Sequence, residues 1–523
     1  MTSRRTNRGK KEKVLIFDTT LRDGEQSPGA SLMTDEKVEI AHHMARMGID
    51  IIEAGFPVSS PGDFEAVSRI SREVHGPIIA GLSRALRPDI ERCWESVKHA
   101  DKPRIHTFLG TSPVHRQGIL RKSPDAVMRM AVDAVKFARD LAEDVEFSAM
   151  DATRTEFDYL CEVLERCIAA GASSVNIPDT VGYAVPEEFG KLIHDVKENV
   201  PNIDQAVISV HCHNDLGLAT ANSIAAIING ARQIECTING IGERAGNAAV
   251  EEIVMILKTR GDVLKKYKTG IATKELWPTS KLVTQMTGIP VQPNKPIVGA
   301  NAFAHSSGIH QDGILKQRST FEIMTPQSVG VRESRLILTS RSGRHALKDR
   351  LRSLGHNVAG EQLDEIYEKF KVIADRKKEV FDDDILALIS DEMSAITETY
   401  HLSYVHAVTG NKTIPTATVI VKRENDETIK EAACGDGPVD ACYKAIDRIT
   451  GLSPKLKNYS LQAVTSEKEA LGEVSVLIEH NGRISSGRSA STDIIEASAK
   501  AYLRAVNRIL ALEKKKKNGK KKK

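Results

Sequence analysis

Between residues 14 and 260 the chain repeats one pattern. A short run of β-branched and apolar residues gives way to a polar turn, then to apolar positions recurring every three or four residues. The runs are VLIFDTT, IDIIEAGFP, PIIAGLS, RIHTFLGTS, DVEFSAM, SSVNIPD, VISVHCHND and QIECTING. The stretches between them are amphipathic. One, TDEKVEIAHHMARMG, opens on Thr34, which suits a helix N-cap, and stops at Gly48. Eight strand–helix units in about 250 residues predict an α/β domain closed as a (β/α)8 barrel over residues 14–289; a doubly wound open sheet is the alternative.

The rhythm then changes. Residues 290–395 open with a loop rich in Pro, Gly and Asn, PVQPNKPIVGANAFAHSSGIHQDG, and continue with helical patterns such as GEQLDEIYEKFKVIADRKKEV. They read as a linker and a small helical subdomain. Residues 396–512 read as a duplicated unit, with β-runs TATVIVKRE and GEVSVLIEH each followed by a Gly-containing turn and a helix. The helices match best, ACYKAIDRI at 441–449 against AYLRAVNRI at 501–509. Two such units predict a pseudo-symmetric α+β domain.

Composition adds three constraints. At 523 residues the chain exceeds one ordinary core, so several domains are expected. The formal charge of +3 hides two basic ends: residues 1–13 carry +5 and residues 513–523, EKKKKNGKKKK, carry +7, so the body between is acidic. Both ends read as disordered tails. A lysine run can bind nucleic acid or an anionic surface, but a solvated end is the plainer reading, so neither nucleic acid nor membrane is an expected partner. No apolar run approaches the roughly 20 residues that cross a bilayer, and no apolar segment follows the basic N-terminus as in a secretory signal. The seven cysteines form no C-x-x-C pair, which fits reduced thiols in a cytoplasm.

In a barrel of this kind the chemistry sits at the C-terminal strand ends. The sequence places Arg22, Asp23, Glu25 and Gln26 after the first strand and His106 on the fourth. Glu146 and Ser148 fall on the fifth, Asp179 and Thr180 at the end of the sixth, and His211 and His213 on the seventh. Glu243, Arg244 and Asn247 follow the eighth. Side chains alternate along a strand, so His211 and His213 face one side and Cys212 the other. Alone, H-x-H more often marks two ordinary strand histidines than a metal pair. Asp23 and Asn247 at neighbouring strand ends add oxygen ligands, and mixed N/O ligation suits Mn2+, Mg2+, Fe2+ or Zn2+ in an open catalytic site. Arg22 could stabilise an oxyanion or clamp a carboxylate; a rim salt bridge is the bland alternative.

FDTTLRDGEQSPGASL, GFPVSSPGDFEAV, RIHTFLGTSPVH, NIPDTVGY, SVHCHNDLGLATANS, NGIGERAGN and AFAHSSGIHQDG together resemble the 2-isopropylmalate synthases, from about residue 14 to residue 512. These belong to a metal-dependent barrel family that also holds homocitrate and citramalate synthases. The resemblance implies condensation of acetyl-CoA with 3-methyl-2-oxobutanoate to 2-isopropylmalate and CoA, the entry to leucine synthesis. It implies that Asp23, His211, His213 and Asn247 hold a divalent ion, Mn2+ or Mg2+ before Zn2+, with K+ as a candidate activator. The ion would chelate and polarise the 2-oxo acid, Arg22 would face the developing alkoxide, and His106, Ser148 and Thr180 would line the oxo-acid pocket. His310, in SGIHQDG, matches an active-site histidine carried by a linker that crosses to a partner's barrel, so a homodimer is implied, with a tetramer as the larger alternative. A loop histidine satisfied by backbone is the plainer reading of that residue.

Two positions depart from the family pattern. Met150 stands where many relatives have a glutamate, so Asp151 or a water relay substitutes for it, or the glutamate is not essential. Phe321 stands where tyrosine is common and lacks the hydroxyl. The C-terminal repeat resembles a leucine-binding regulatory domain, whose turns here are Gly435, Asp436, Gly437 and Pro438 in the first half and Ser491, Thr492 and Asp493 in the second. Exposed N–H groups at those helix starts could receive an amino-acid carboxylate, and pure dimerisation is the alternative role. The rival enzymatic readings are citramalate and homocitrate synthesis. A binding protein anchored by its lysine tails is a distant third.

Overall fold

The computed structural model describes residues 11–520 apart from 306, 332–334, 337, 340, 355–357, 377–379, 381–384, 386–398, 411 and 464–471. The chain divides into two compact units, Met1–His305 with Gly313–Leu336, and Ser306–Asp312 with Ile337–Lys523. The basic N-terminal run to residue 10 and the boundary expected at residue 395 lie outside the described residues.

The first unit is a closed barrel of eight parallel strands: β1 (Leu15–Asp18), β2 (Ile51–Glu53), β3 (Ile78–Arg84), β4 (Pro103–Gly110), β5 (Asp144–Met150), β6 (Ser174–Asp179), β7 (Val207–Cys212) and β8 (Gln233–Cys236). β8 pairs with β1 and closes the sheet, which excludes the open-sheet alternative. Alternation along each strand turns residues such as Ile52, Ile79, Ile105, Val145, Val175, Val210 and Ile234 toward the helices, where they are buried in one continuous core. The inward residues form layers. Phe17, Ile51 and Ala80 pack as a separate apolar cluster. Next along the same inner face come Glu53, Arg104, His106, Glu146, His211, Gln233 and Glu235, all buried. So many buried polar groups require mutual partners.

Helix boundaries follow their caps. Ser60 and Ser123 accept from the backbone N–H of Asp63 and Ala126 at the starts of Pro61–Glu73 and Pro124–Leu141. The helix expected to be capped by Thr34 instead begins with it. Met33 holds the cap position, and its N–H donates to the Glu36 carboxylate at 2.7 Å. Gly48 ends that helix with φ 87°, a left-handed turn that favours glycine.

In the second unit the helices Arg344–Ser353 and Glu361–Arg376 share one small core. Two three-stranded antiparallel sheets follow, Tyr400–Gly410, Thr413–Arg423 and Thr428–Cys434, then Lys455–Ala463, Gly472–His480 and Arg483–Ser491. Each is followed by a helix, Pro438–Thr450 or Ile494–Lys520, and the rings of Tyr443 and Tyr502 stack at 4.0 Å between centroids. The last helix continues through the lysine run to Lys520, where disorder was expected. Lysine is a good helix former, and extending an existing helix needs no new nucleus. Among the described residues no helix is long and apolar enough to cross a membrane.

Candidate active site and metal centre

Asp23 follows β1 at the head of a short 3-10 turn, Gly24–Gln26. His211 lies on β7 and His213 just beyond it, bridged to Asn247 in the loop after β8. The Nε2 atoms of the two histidines lie 3.1 Å apart, and a carboxylate oxygen of Asp23 lies within 4.8 Å of both imidazoles. Asn247 Nδ2 donates to Asp23 Oδ2 at 2.5 Å, while its Oδ1 is buried without a hydrogen-bond partner among the described residues. The β7–β8 register sets Glu235 beside His211, and His211 Nδ1 lies 2.8 Å from Glu235 Oε2. Donating that proton to Glu235 leaves Nε2 with its lone pair facing His213.

Burial holds both imidazoles neutral, pushing His211 down to about 4 and His213 to about 3. Burial works against the Asp23 carboxylate, yet the Arg22 charge keeps it below its ordinary range. Two neutral imidazoles, one carboxylate and an orphaned amide oxygen fit a divalent cation of intermediate hardness.

A second chain of contacts runs beside the first. Arg22 donates to Asp23 Oδ1 at 2.9 Å and to Glu53 Oε2 at 2.6 Å. Glu53 Oε1 lies 2.6 Å from His106 Nδ1, and His106 Nε2 lies 2.7 Å from Ser148 Oγ. Burial disfavours the imidazolium, but the Glu53 carboxylate outweighs it and lifts His106 to about 8. Ser148 Oγ therefore accepts from His106 Nε2–H and from Asn176 Nδ2–H at 2.8 Å, which leaves its own proton to donate.

These groups open on a cavity of about 290 Å3. Its lining combines the polar Arg22, Asp23, His106, Ser148, Thr180, His211 and His213 with the apolar Leu82, Phe108, Met150 and Pro178. A small molecule with an anionic head and an apolar branch suits such a wall.

Of the barrel residues expected at the site, Arg22, Asp23, Gln26, His106, Ser148, Thr180, His211, His213, Glu243 and Arg244 line this cavity, with Asn247 joined through Asp23. Glu25 instead pairs with Lys37, and Asp179 accepts from Ala184 N, both outside it. Three further expectations change. Glu146 lies deeper than the rim, held by Arg104 at 2.8 Å and Gln233 at 2.7 Å. Asp151 does not stand in for a glutamate at position 150: it is fully buried with φ 66°, and Arg154 Nε and His115 Nδ1 hold its carboxylate at 2.8–3.0 Å. At the second regulatory turn the helix amides are already taken. Asp493 Oδ1 accepts from Ile495 N at 2.8 Å and Glu496 N at 3.3 Å, Ser491 Oγ donates to Glu496, and Thr492 lies exposed between them. In the first turn Gly437 caps the helix that begins at Pro438, and Asp436 N donates to Asp440 in the turn that starts at Gly435.

His310 lies exposed in the helix Gly308–Lys316, within the second unit. The Phe321 ring packs so tightly on Gly313 that a Cβ there would come within 2.6 Å of it. Sequence reasoning missed Glu53, Glu235 and Asn176. The signal for the two glutamates was an acid set in an apolar strand run, IIEA and QIEC.

Residues 13–283 match the family model described as HMGL-like, residues 297–378 the homocitrate synthase post-HMGL domain-like model, and residues 379–510 the LeuA allosteric (dimerisation) domain. A 2-isopropylmalate synthase of Carboxydothermus hydrogenoformans is 59% identical over 500 residues, covering 95% of this chain and 98% of its own. The chain belongs to the 2-isopropylmalate synthase family. Two further members, from Pelotomaculum thermopropionicum and Pyrococcus furiosus, are 55% and 52% identical, each across 95% of this chain and 99% of its own. As a 2-isopropylmalate synthase relative the chain is a condensing enzyme of the acyltransferase type. HMGL-like enzymes depend on a divalent metal, and Asp23, His211, His213 and Asn247 are the residues here that could hold one.

Proposed function

We propose that the chain condenses acetyl-CoA with 3-methyl-2-oxobutanoate and water, giving (2S)-2-isopropylmalate and CoA in the first committed step of leucine synthesis. The observation that carries this reading is the cavity whose lining combines a metal-ligating set, a fixed arginine and four apolar side chains. A divalent cation held by Asp23, His211, His213 and Asn247 Oδ1, with Mn2+ or Mg2+ favoured over Zn2+, supplies Lewis acidity toward the keto acid. Arg22, locked by Asp23 and Glu53, donates to the keto oxygen as it gains charge. The Ser148 and Thr180 hydroxyls bind the carboxylate, and the isopropyl group rests on Leu82, Phe108, Met150 and Pro178. That apolar patch suits a branched alkyl chain better than the charged side chain of 2-oxoglutarate. Against pyruvate the margin is the missing methyl groups, at about 1–3 kcal/mol each.

His310 serves in this reading as a general acid/base. The homodimer is the working assembly, K+ is a candidate activator and the cytoplasm is the setting. The duplicated domain binds leucine and lowers the rate, with the turn at 435–438 as the proposed contact. The test is CoA-thiol release with pyruvate, 2-oxoglutarate and 3-methyl-2-oxobutanoate side by side, each with and without leucine. The expected result is the highest kcat/KM for 3-methyl-2-oxobutanoate and a fall at saturating leucine. Faster turnover of pyruvate would transfer the chain to the citramalate reading.

A further inference from the structure

The condensation proposed above needs a group that takes a proton from the acetyl methyl, and the cavity wall narrows the choice. His211 and His213 face each other and Asp23 across the metal-ligating set. Asp23 is held by Arg22 and Asn247. Glu235 is buried with Oε2 held by His211 Nδ1, and His106 is fixed between Glu53 and Ser148. Asp151, next to Met150, is clamped by Arg154 and His115 away from solvent.

Glu243, in the loop after β8, is different. It lines the cavity, it is exposed, and its carboxylate makes no hydrogen bond or ion pair among the described residues. The loop around it is built to hold it there. Arg244 sits at φ 57°, a conformation non-glycine residues seldom adopt. Its guanidinium grips Asp215 at 2.9 and 3.0 Å and the Thr180 carbonyl at 2.8 Å. On the other side, a Cβ at Gly242 would come within 2.1 Å of Asn247 Nδ2 and 3.0 Å of Asp23 Oδ2, so only glycine lets the loop lie this close to the metal-ligating residues. Gly246 N donates to the Glu243 carbonyl at 3.0 Å and closes the turn. Strain of this kind persists only where the surroundings fix it, and it collects at functional sites.

We propose that Glu243 is the base that deprotonates acetyl-CoA. Its carboxylate takes one methyl proton, and the C–H electron pair forms the new bond to the keto carbon. The carbonyl π pair moves onto the keto oxygen, which faces Arg22 and takes a proton from solvent water to give the alcohol. Water then breaks the C–S bond, giving the carboxylic acid and CoA thiol, and Glu243 gives up its proton to solvent.

The test uses full-length, Mn2+-loaded protein and the variants Glu243→Gln and Glu243→Asp. The Gln variant is expected to lose at least about a hundredfold in kcat. Its deuterium isotope effect with methyl-deuterated acetyl-CoA should rise above that of the wild type. Mn2+ and 3-methyl-2-oxobutanoate affinities should stay within about threefold, and the Asp variant should recover part of the rate. A Gln variant with kcat within about threefold of wild type overturns the assignment, and so does one whose rate falls only because Mn2+ affinity falls. Histidine 310 gives the opposing arm: if His310→Asn raises the isotope effect and Glu243→Gln does not, the proton goes to the histidine. A wild-type protein that releases no thiol with any 2-oxo acid would sink the condensation itself, whereas an active wild type beside an equally active Gln variant sinks only the base.

Discussion

Nδ1 of His106 lies 2.6 Å from Oε1 of Glu53, and the other oxygen of the same carboxylate takes Arg22 Nε at 2.6 Å. One buried carboxylate thus fixes two positive groups of the cavity wall. Replacing Glu53 with Gln leaves the buried His106 imidazolium without its countercharge and Arg22 with Asp23 alone, and breaking a buried pair in this way typically costs about 3–5 kcal/mol. A urea titration of the metal-free variant should show that loss, and kcat should fall with it.

The His106–Glu53 pair also gives stability a sign-definite pH dependence. His106 is raised from about 6.5 to about 8, so its contribution is complete below pH 6.5 and is lost as pH rises through 8. His211 and His213 act in the opposite sense. The unfolded chain binds protons that the folded imidazoles refuse, so stability falls as pH drops from 6.5 toward 4. Urea midpoints of metal-free protein between pH 4 and 9 should show both limbs, and His106→Asn should flatten only the alkaline one.

Glu235 orients His211 through Nδ1, on the imidazole nitrogen opposite the one that faces His213. Glu235→Gln should weaken Mn2+ binding by about 10–100-fold, less than His211→Ala. Calorimetric titration separates the two; equal losses would mean that Glu235 is itself a ligand.

Gly487 tests the second unit independently. A Cβ there would meet the Ala501 carbonyl at 1.9 Å, because the strand Arg483–Ser491 lies directly on the last helix. Gly487→Ala should cost about 1–3 kcal/mol in the unfolding of that unit, while Mn2+ affinity in the barrel stays unchanged.

The eight barrel strands were legible because each carries apolar residues toward its helices and stops at a polar turn. The His-x-His pair was legible because strand alternation dictates a shared face. Glu53 and Glu235 were visible as acids within apolar runs, but their partners lie 53 and 24 residues away, and only the closed sheet sets them side by side. The fate of Asp151 depends on a left-handed backbone and on His115, 36 residues away, neither of which residue spacing reveals. The lysine run has a charge that suggests a solvated coil, whereas the helix under way at Ile494 is described as far as Lys520.

The account rests on a divalent cation between Asp23, His211, His213 and Asn247. CoA-thiol release from acetyl-CoA and 3-methyl-2-oxobutanoate, measured before and after EDTA treatment and again with Mn2+ restored, tests it most directly. Activity should vanish on stripping and return with the metal in the wild type, but not in His211→Ala. Undiminished thiol release from the stripped protein would contradict it.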